Sequence, residues 1–270
     1  MAETVAYIAD MVDQAGDLDV TDIWENSWRI SNELMEKIRP VFELHRDPAY
    51  ADLEQYGAQD ASTGASGSLN AFSGPEVDWL AHAWIGDFKR AFVNVHVTVW
   101  LGPHIDVPHL GIAFGTSPRP WIYLDTPARQ DLNTDIAYFD KYIQPRNEHY
   151  LDLRVDPRLT QFVSRDPYIR QVLTDVAICT SLDNNPENWE LMAEEAHRHV
   201  DMWIDWVKNA EPVPAEKRAE LAERDLVLRR TIVERDPANA LAARRFPAGY
   251  EQRLVKALWG AERQLPRPQA

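Results

Sequence analysis

The sequence predicts an α/β fold: an α/β/α sandwich with a central, largely antiparallel sheet. Three observations carry that prediction. Apolar side chains alternate with period two in four short runs between about 78 and 127. The Gly, Pro and Asp turns between the runs are too short for helical crossovers, and amphipathic helical patterns lie before and after the block. The 270 residues read as a single domain. It divides into an N-terminal helix and loop (22–67), a sheet core (68–127), helices and a last strand (128–185) and C-terminal helices (186–260).

Taken in order, Ile23, Trp24, Trp28, Ile30, Leu34, Ile38 and Phe42 fall at near-helical spacing, so a helix is expected over 22–38, ending before Pro40. The stretch 57–76, "GAQDASTGASGSLNAFSGPE", is rich in Gly, Ser and Ala and reads as a loop leading into the sheet. Strands follow at "DWLAHAWIG" (78–86), "FVNVHVTVWLG" (92–102), "LGIAFGT" (110–116) and "WIYLDTP" (121–127). A helix over "RQDLNTDIAYFDKYI", a loop with short helices to about 173 and one more strand, "DVAICTSLD", come next. The remainder is helical: two long helices over 187–210 and 215–236, then a shorter one, "PAGYEQRLVKALWG", capped by Gly260.

Composition excludes several function classes. Hydrophobic residues make up 45%, enough for a substantial core, and no uninterrupted apolar stretch approaches the roughly 20 residues of a membrane span. The acidic start "MAETVAYIADMVDQAGD" lacks the blocks of a signal peptide, so a cytoplasmic protein without a membrane partner is expected. A formal net charge of −15 argues against nucleic acid, whose backbone requires clustered Lys and Arg. The arginines 224, 229, 230, 235, 244 and 245 cluster in the C-terminal quarter, but the Asp and Glu among them point to solvated helix faces. Cys179, the one cysteine, has apolar flanks and reads as a buried core thiol. No nucleotide fingerprint and no flavin, haem or iron–sulfur ligand set is recognisable, so no tightly bound cofactor and a colourless protein are expected.

The candidate site lies in 92–115, where His96, His104, Asp106 and His109 fall within fourteen positions. Val93, Val95, Val97 and Val99 form one face of the first run, suited to burial under helices. The opposite face carries Asn94, His96 and Trp100, polar groups among rings, which suits a pocket. Gly111, Ala113 and Gly115 give the second run a small-residue face that leaves volume for a ligand or for close packing of a helix. His82, Trp84 and Tyr123 are placed with this face, the tryptophans ready to stack on a flat ligand. His96 is either a pocket histidine or one bonded within the sheet. Asp106, just before Val107 and Pro108, is either catalytic or a turn cap, and Asp236, before Pro237, either catalytic or a helix cap. The four residues of the 96–109 cluster meet no recognised metal spacing, and the single Glu-x-x-His of "EEAH" (194–197) is half of a di-iron pattern, read as a solvated helix face. No metal is expected.

Three segments carry a family resemblance. "WIYLDTPARQDLNTDIAYFDKYI" resembles the segment of red chlorophyll catabolite reductases in which a strand ends in Leu-Asp-x-Pro before an aromatic-rich helix. "VHVTVWLGPHIDVPHLGIAF" is similar to the matching region of ferredoxin-dependent bilin reductases, and "RDPANALAARRFPAGYEQRLVKALWG" to their C-terminal signature, over 79–260 in all. The resemblance implies a pocket between the sheet and the C-terminal helices for a linear tetrapyrrole, without flavin or metal. Reduced ferredoxin would supply the electrons and pocket side chains the protons. By position, His96 matches the family's pocket histidine and Asp236 its acidic residue ahead of the last helices. The family's acid on the second strand falls at Ala113, and a position that is basic in some bilin reductases is Pro237.

The first functional expectation is therefore a reductase of this type, acting on a linear tetrapyrrole or another bulky conjugated aromatic. The alternative is a cofactor-independent acid/base lyase or isomerase on a bulky aromatic substrate, and the third a non-catalytic pigment or hydrophobe carrier. Ferredoxin is a partner in the first reading only, and a homodimer is left open. In either enzyme, His96 and Asp236 are expected to act as a proton-handling pair, the carboxylate raising the imidazole toward neutrality.

Overall fold

The structure is a computed structural model and describes residues 6–7, 18–57, 65–239, 246 and 249–260. Strands β1 (Ala6–Tyr7), β2 (His45–Arg46), β3 (Ser66–Ser73), β4 (Val77–Asp87), β5 (Phe92–Leu101), β6 (Leu110–Ser117), β7 (Arg119–Asp125), β8 (Thr160–Val163) and β9 (Ile178–Ser181) form one sheet. Their order is β1-β8-β9-β7-β6-β5-β4-β3-β2. Every neighbouring pair is antiparallel except β1 with β8. The expected sandwich is therefore present, with helices on both faces.

The valine face packs as the alternation requires. Val93, Val95, Val97 and Val99 are fully buried beneath helices α1 (Thr21–Ile38) and α5 (Pro186–Lys208), among Ile30, Leu34, Met192 and Trp203. Burial of each such side chain stabilises the fold by roughly 1.5–3 kcal/mol. The α1 and α5 surfaces are joined by Lys37 to Asp201 at 2.7 Å and His197 to Glu33 at 3.1 Å. "EEAH" is thus no solvated face: Glu195 is buried and accepts from His149 of α3 (Asn147–Val155) at 2.6 Å.

The opposite face is covered by α4 (Pro167–Val172), α6 (Ala215–Arg235), α7 (Tyr250–Trp259) and a short 3-10 segment, Pro48–Leu53. Gly260 ends α7 at φ +57°, the left-handed cap expected of it. Helix α6 is held by a buried clasp. The Asp225 carboxylate takes Arg129 Nη2 at 2.6 Å and His109 Nε2 at 3.1 Å, while Arg129 also donates to the carbonyls of Ile105 (2.6 Å) and Gly102 (3.1 Å). The Leu101 amide donates to His109 Nδ1, so the proton of the neutral ring sits on Nε2. Burial pushes His109 down to about 4. Burial opposes the charge of Asp225 too, but His109 and Arg129 outweigh it and hold the carboxyl well below the usual range. The C-terminal arginines are likewise not all solvated: Arg229 is buried, 3.8 Å from Asp78.

Other elements differ from the sequence reading. Strand β3 occupies part of the expected loop, pairing Ser66 to Phe72 with β4. Its small residues admit a ring: a side chain at Gly67 would collide with Tyr56, which lies across it and donates to the Trp84 carbonyl at 3.1 Å. The helix expected over 129–143 is confined to α2 (Ile136–Tyr142), opened by Asp135, whose carboxylate accepts from Tyr138 N, because Arg129 is drawn into the clasp. Strand β8 lies inside the segment read as loop and short helices.

Candidate functional site

Between the sheet and α4, α6 and α7 lies a cavity with ≈ 220 Å³ of space for the centres of water-sized molecules, far more than one water needs. Strand register builds its floor. Leu69, Ala83, His96, Ala113, Tyr123 and Cys179 stand directly opposite one another across β3, β4, β5, β6, β7 and β9, and all six line the cavity. Because facing residues in a sheet project to the same side, this row is a straight line of side chains across six strands. The roof comes from Ile232, Leu254, Leu258 and Trp259.

The expected residues divide. Asn94, His96, Trp100, Gly111, Ala113, Tyr123 and Asp236 line the cavity. Trp84 borders it, but its ring turns to the valine face, 5.4 Å from Trp24 and 6.4 Å from Phe88. His82 is not at the cavity. It stacks on Trp28 at 4.4 Å and bonds the Ser31 hydroxyl at 3.1 Å, because it stands opposite Val97 rather than His96. The cavity positions of β4 are Ala83 and Ile85. Asp106 is also displaced: the β5–β6 loop carries it to the Gln130 side-chain amide at 2.5 Å, outside the cavity, while burial raises its carboxyl. With His109 in the clasp and His104 in the same loop, the 96–109 cluster does not converge. Among the described residues no group of three or more His, Cys, Asp or Glu is arranged to hold a metal ion.

The small-residue face is emptier in sequence than in space. The Trp121 ring lies across Gly115 and the Tyr123 ring across Gly111, where a Cβ would stand 2.6 Å from Trp121 Cε2 and 2.9 Å from the Tyr123 hydroxyl. Ala113, between His96 and Tyr123 in the row, presents only a methyl group to the cavity.

Electrostatics reverse the expected pairing. His96 is half-buried, its exposed surface belonging to the cavity, and burial alone pushes it down to about 4. No carboxylate lies within ion-pair distance of it among the described residues, so the ring is neutral. Asp236 is pushed up to about 6 by burial and by the nearby Asp166, against a hydrogen bond of 2.9 Å from the Ala238 amide. One carboxylate oxygen caps the turn after α6, so the cap and the cavity position coexist in one residue. Burial raises the Tyr123 phenol well above 10, with Asp125, Cys179 and Asp236 adding to the effect. The Cys179 thiol is buried as expected, but at the cavity wall, and burial raises it too.

Sequence reasoning missed Leu69, Ala83, Tyr56, Trp121, Phe162 and Trp259 as lining residues. Ala83 and Ile85 were detectable as the β4 positions of opposite parity to His82. Trp259 ends the apolar stripe of the last helix. Nothing local marks Tyr56 or Phe162.

The model of the red chlorophyll catabolite reductase family matches residues 29–259. Among solved structures, a crystal structure of phytochromobilin synthase from tomato in complex with biliverdin superposes with a TM-score of 0.74 at 16% identity, over 86% of this chain and 82% of that one. That likeness is one of fold. No curated protein sequence matches the chain.

Proposed function

The chain belongs to the red chlorophyll catabolite reductase family, whose model spans most of its length, and from that premise we propose that it reduces a linear tetrapyrrole or a similarly bulky conjugated aromatic in the cavity between sheet and C-terminal helices. The observation that carries the reading is one buried acid, Asp236, held near pH 6 in a wall made mostly of rings and aliphatic groups. A group titrating that close to neutrality can give up a proton as the substrate gains charge, an effect worth roughly 100- to 10,000-fold in rate. Neutral His96 faces the same space and would orient the substrate through hydrogen bonds. Electrons would come one at a time from reduced ferredoxin, and the biliverdin held by the tomato structure supports the substrate class. Trp100, Asn94 and Tyr123 would complete the binding surface.

A second reading, a cofactor-independent lyase or isomerase, is favoured by the net charge of −15, which would repel an acidic electron donor. One experiment separates the readings. Biliverdin, and separately aromatic dimers, are added to the protein and the absorption spectrum is followed with and without reduced ferredoxin. Loss of the conjugated band only with ferredoxin is expected. Change without ferredoxin indicates the lyase, and a bound spectrum that never evolves indicates a carrier. In the active system His96→Ala and Asp236→Asn should each lower turnover by 100-fold or more with substrate affinity changed far less. Unchanged turnover in Asp236→Asn would reduce that residue to a cap, since Asn caps about as well as Asp.

A further inference from the structure

The cavity floor holds a second acid. Tyr123 stands opposite Ala113, which stands opposite His96, so the phenol and the imidazole stand on either side of a position that carries only a methyl group. The Tyr123 ring leans over Gly111, where only glycine leaves room for it, and this sets the hydroxyl over Gly111, two residues along β6 from Ala113, in the wall of the cavity. Among the described residues no hydrogen bond reaches that hydroxyl. A tyrosine inside a protein ordinarily finds a partner for its OH, so a free one at a cavity wall is poised for a group that the cavity receives.

We propose that Tyr123 is a proton donor to the bound substrate, acting from the sheet wall of the cavity above Gly111. The assignment rests on the reductase reading above. The other candidates in the row are poorer donors: neutral His96 has only its ring N–H, and Cys179 is largely covered. Asp236, titrating near 6, is mostly ionised above pH 7, whereas the phenol keeps its proton throughout the neutral range. In the step itself, a reduced iron–sulfur protein gives the substrate one electron. The Tyr123 O–H bond then breaks and its proton forms a new bond to the resulting radical anion, leaving a neutral radical. A second electron from the same iron–sulfur donor and a proton from Asp236 complete the two-electron, two-proton reduction, and the tyrosinate and the Asp236 carboxylate recover their protons from solvent when product leaves. A strongly basic radical anion can draw a proton from so weak an acid, and a closed-shell substrate cannot.

The test uses Tyr123→Phe, which keeps the ring over Gly111 and removes only the hydroxyl. With biliverdin as probe and reduced ferredoxin as donor, kcat is expected to fall 100-fold or more while the biliverdin Kd, read by absorption titration, stays within about threefold. Because Asp236 delivers the second proton, wild type and variant alike should slow above pH 6 as it ionises, so the two kcat values are compared at pH 6. A variant with the kcat of wild type overturns the assignment while leaving the reductase reading intact. So does one whose kcat falls only as far as its binding does. A wild-type protein that binds biliverdin without reducing it overturns both.

Discussion

At the scale of the residue, one carboxyl carries two jobs that pull in opposite directions. Asp236 caps the turn after α6 and also faces the cavity, so its charge is tolerated at a cost. Its folded value of about 6 lies above the ordinary 3.8, so the folded state binds its proton more tightly than the unfolded state does. Stability from this group is fully present below pH 3.8 and lost as pH rises through 6. Asp236→Asn should therefore raise the denaturation midpoint at pH 7.5 by the equivalent of about 3 kcal/mol and leave it unchanged at pH 4. Urea titrations at the two pH values measure it, and equal effects at both would refute the shift. The sequence exposed this residue through its match to the family's acidic position, while its place before Pro237 suggested the cap. It did not expose the clasp, because Arg129, His109 and Asp225 are joined across 96 and 116 positions and each alone looks like an ordinary polar residue.

At the scale of the element, what decides legibility is whether a strand's own side chains demand extension. Strand β5 is legible because four β-branched valines alternate on one face. Strand β3 contains no β-branched residue and is a strand because β4 pairs with it and Tyr56 lies on it. Strand β4 was legible as a strand but not in its facing, since Trp79, Leu80, Ala81, Ala83, Trp84 and Ile85 offer apolar groups on both sides and only the pairing of Ala83 with His96 settles which side is which. The two rings over glycines make a graded prediction. A Cβ at Gly115 would meet Trp121 and come within 2.8 Å of the Val93 carbonyl, backbone that cannot move aside. Gly115→Ala should cost about 1–3 kcal/mol. Gly111→Ala should cost less, because there the tip of Tyr123 can yield. Thermal or urea unfolding of the two variants would show the order, and a reversal would place the rings elsewhere.

At the scale of the whole molecule, four histidines are kept neutral by burial: His82, His96 and His109 at about 4 and His199 at about 3. Each is depressed below the unfolded 6.5, so each takes up a proton on unfolding in mild acid. Their contribution is present above pH 6.5 and lost as pH falls through 4, at roughly 1.4 kcal/mol per pH unit for each group. The raised carboxyls of Asp106, Asp125 and Asp236 oppose this only in part. The urea midpoint should accordingly be lower at pH 5 than at pH 7, and an equal or higher midpoint at pH 5 would contradict buried neutral histidines.

Three indoles, Trp100, Trp121 and Trp259, face the same cavity from the sheet and from the last helix. Any visible pigment seated there would lie within a few ångströms of three ultraviolet emitters and would drain their excited states by resonance transfer. Occupancy of the cavity is therefore written into the protein's own fluorescence, without a label. Two of those emitters sit on the sheet and one on α7, so replacing them one at a time would tell which wall the pigment touches first.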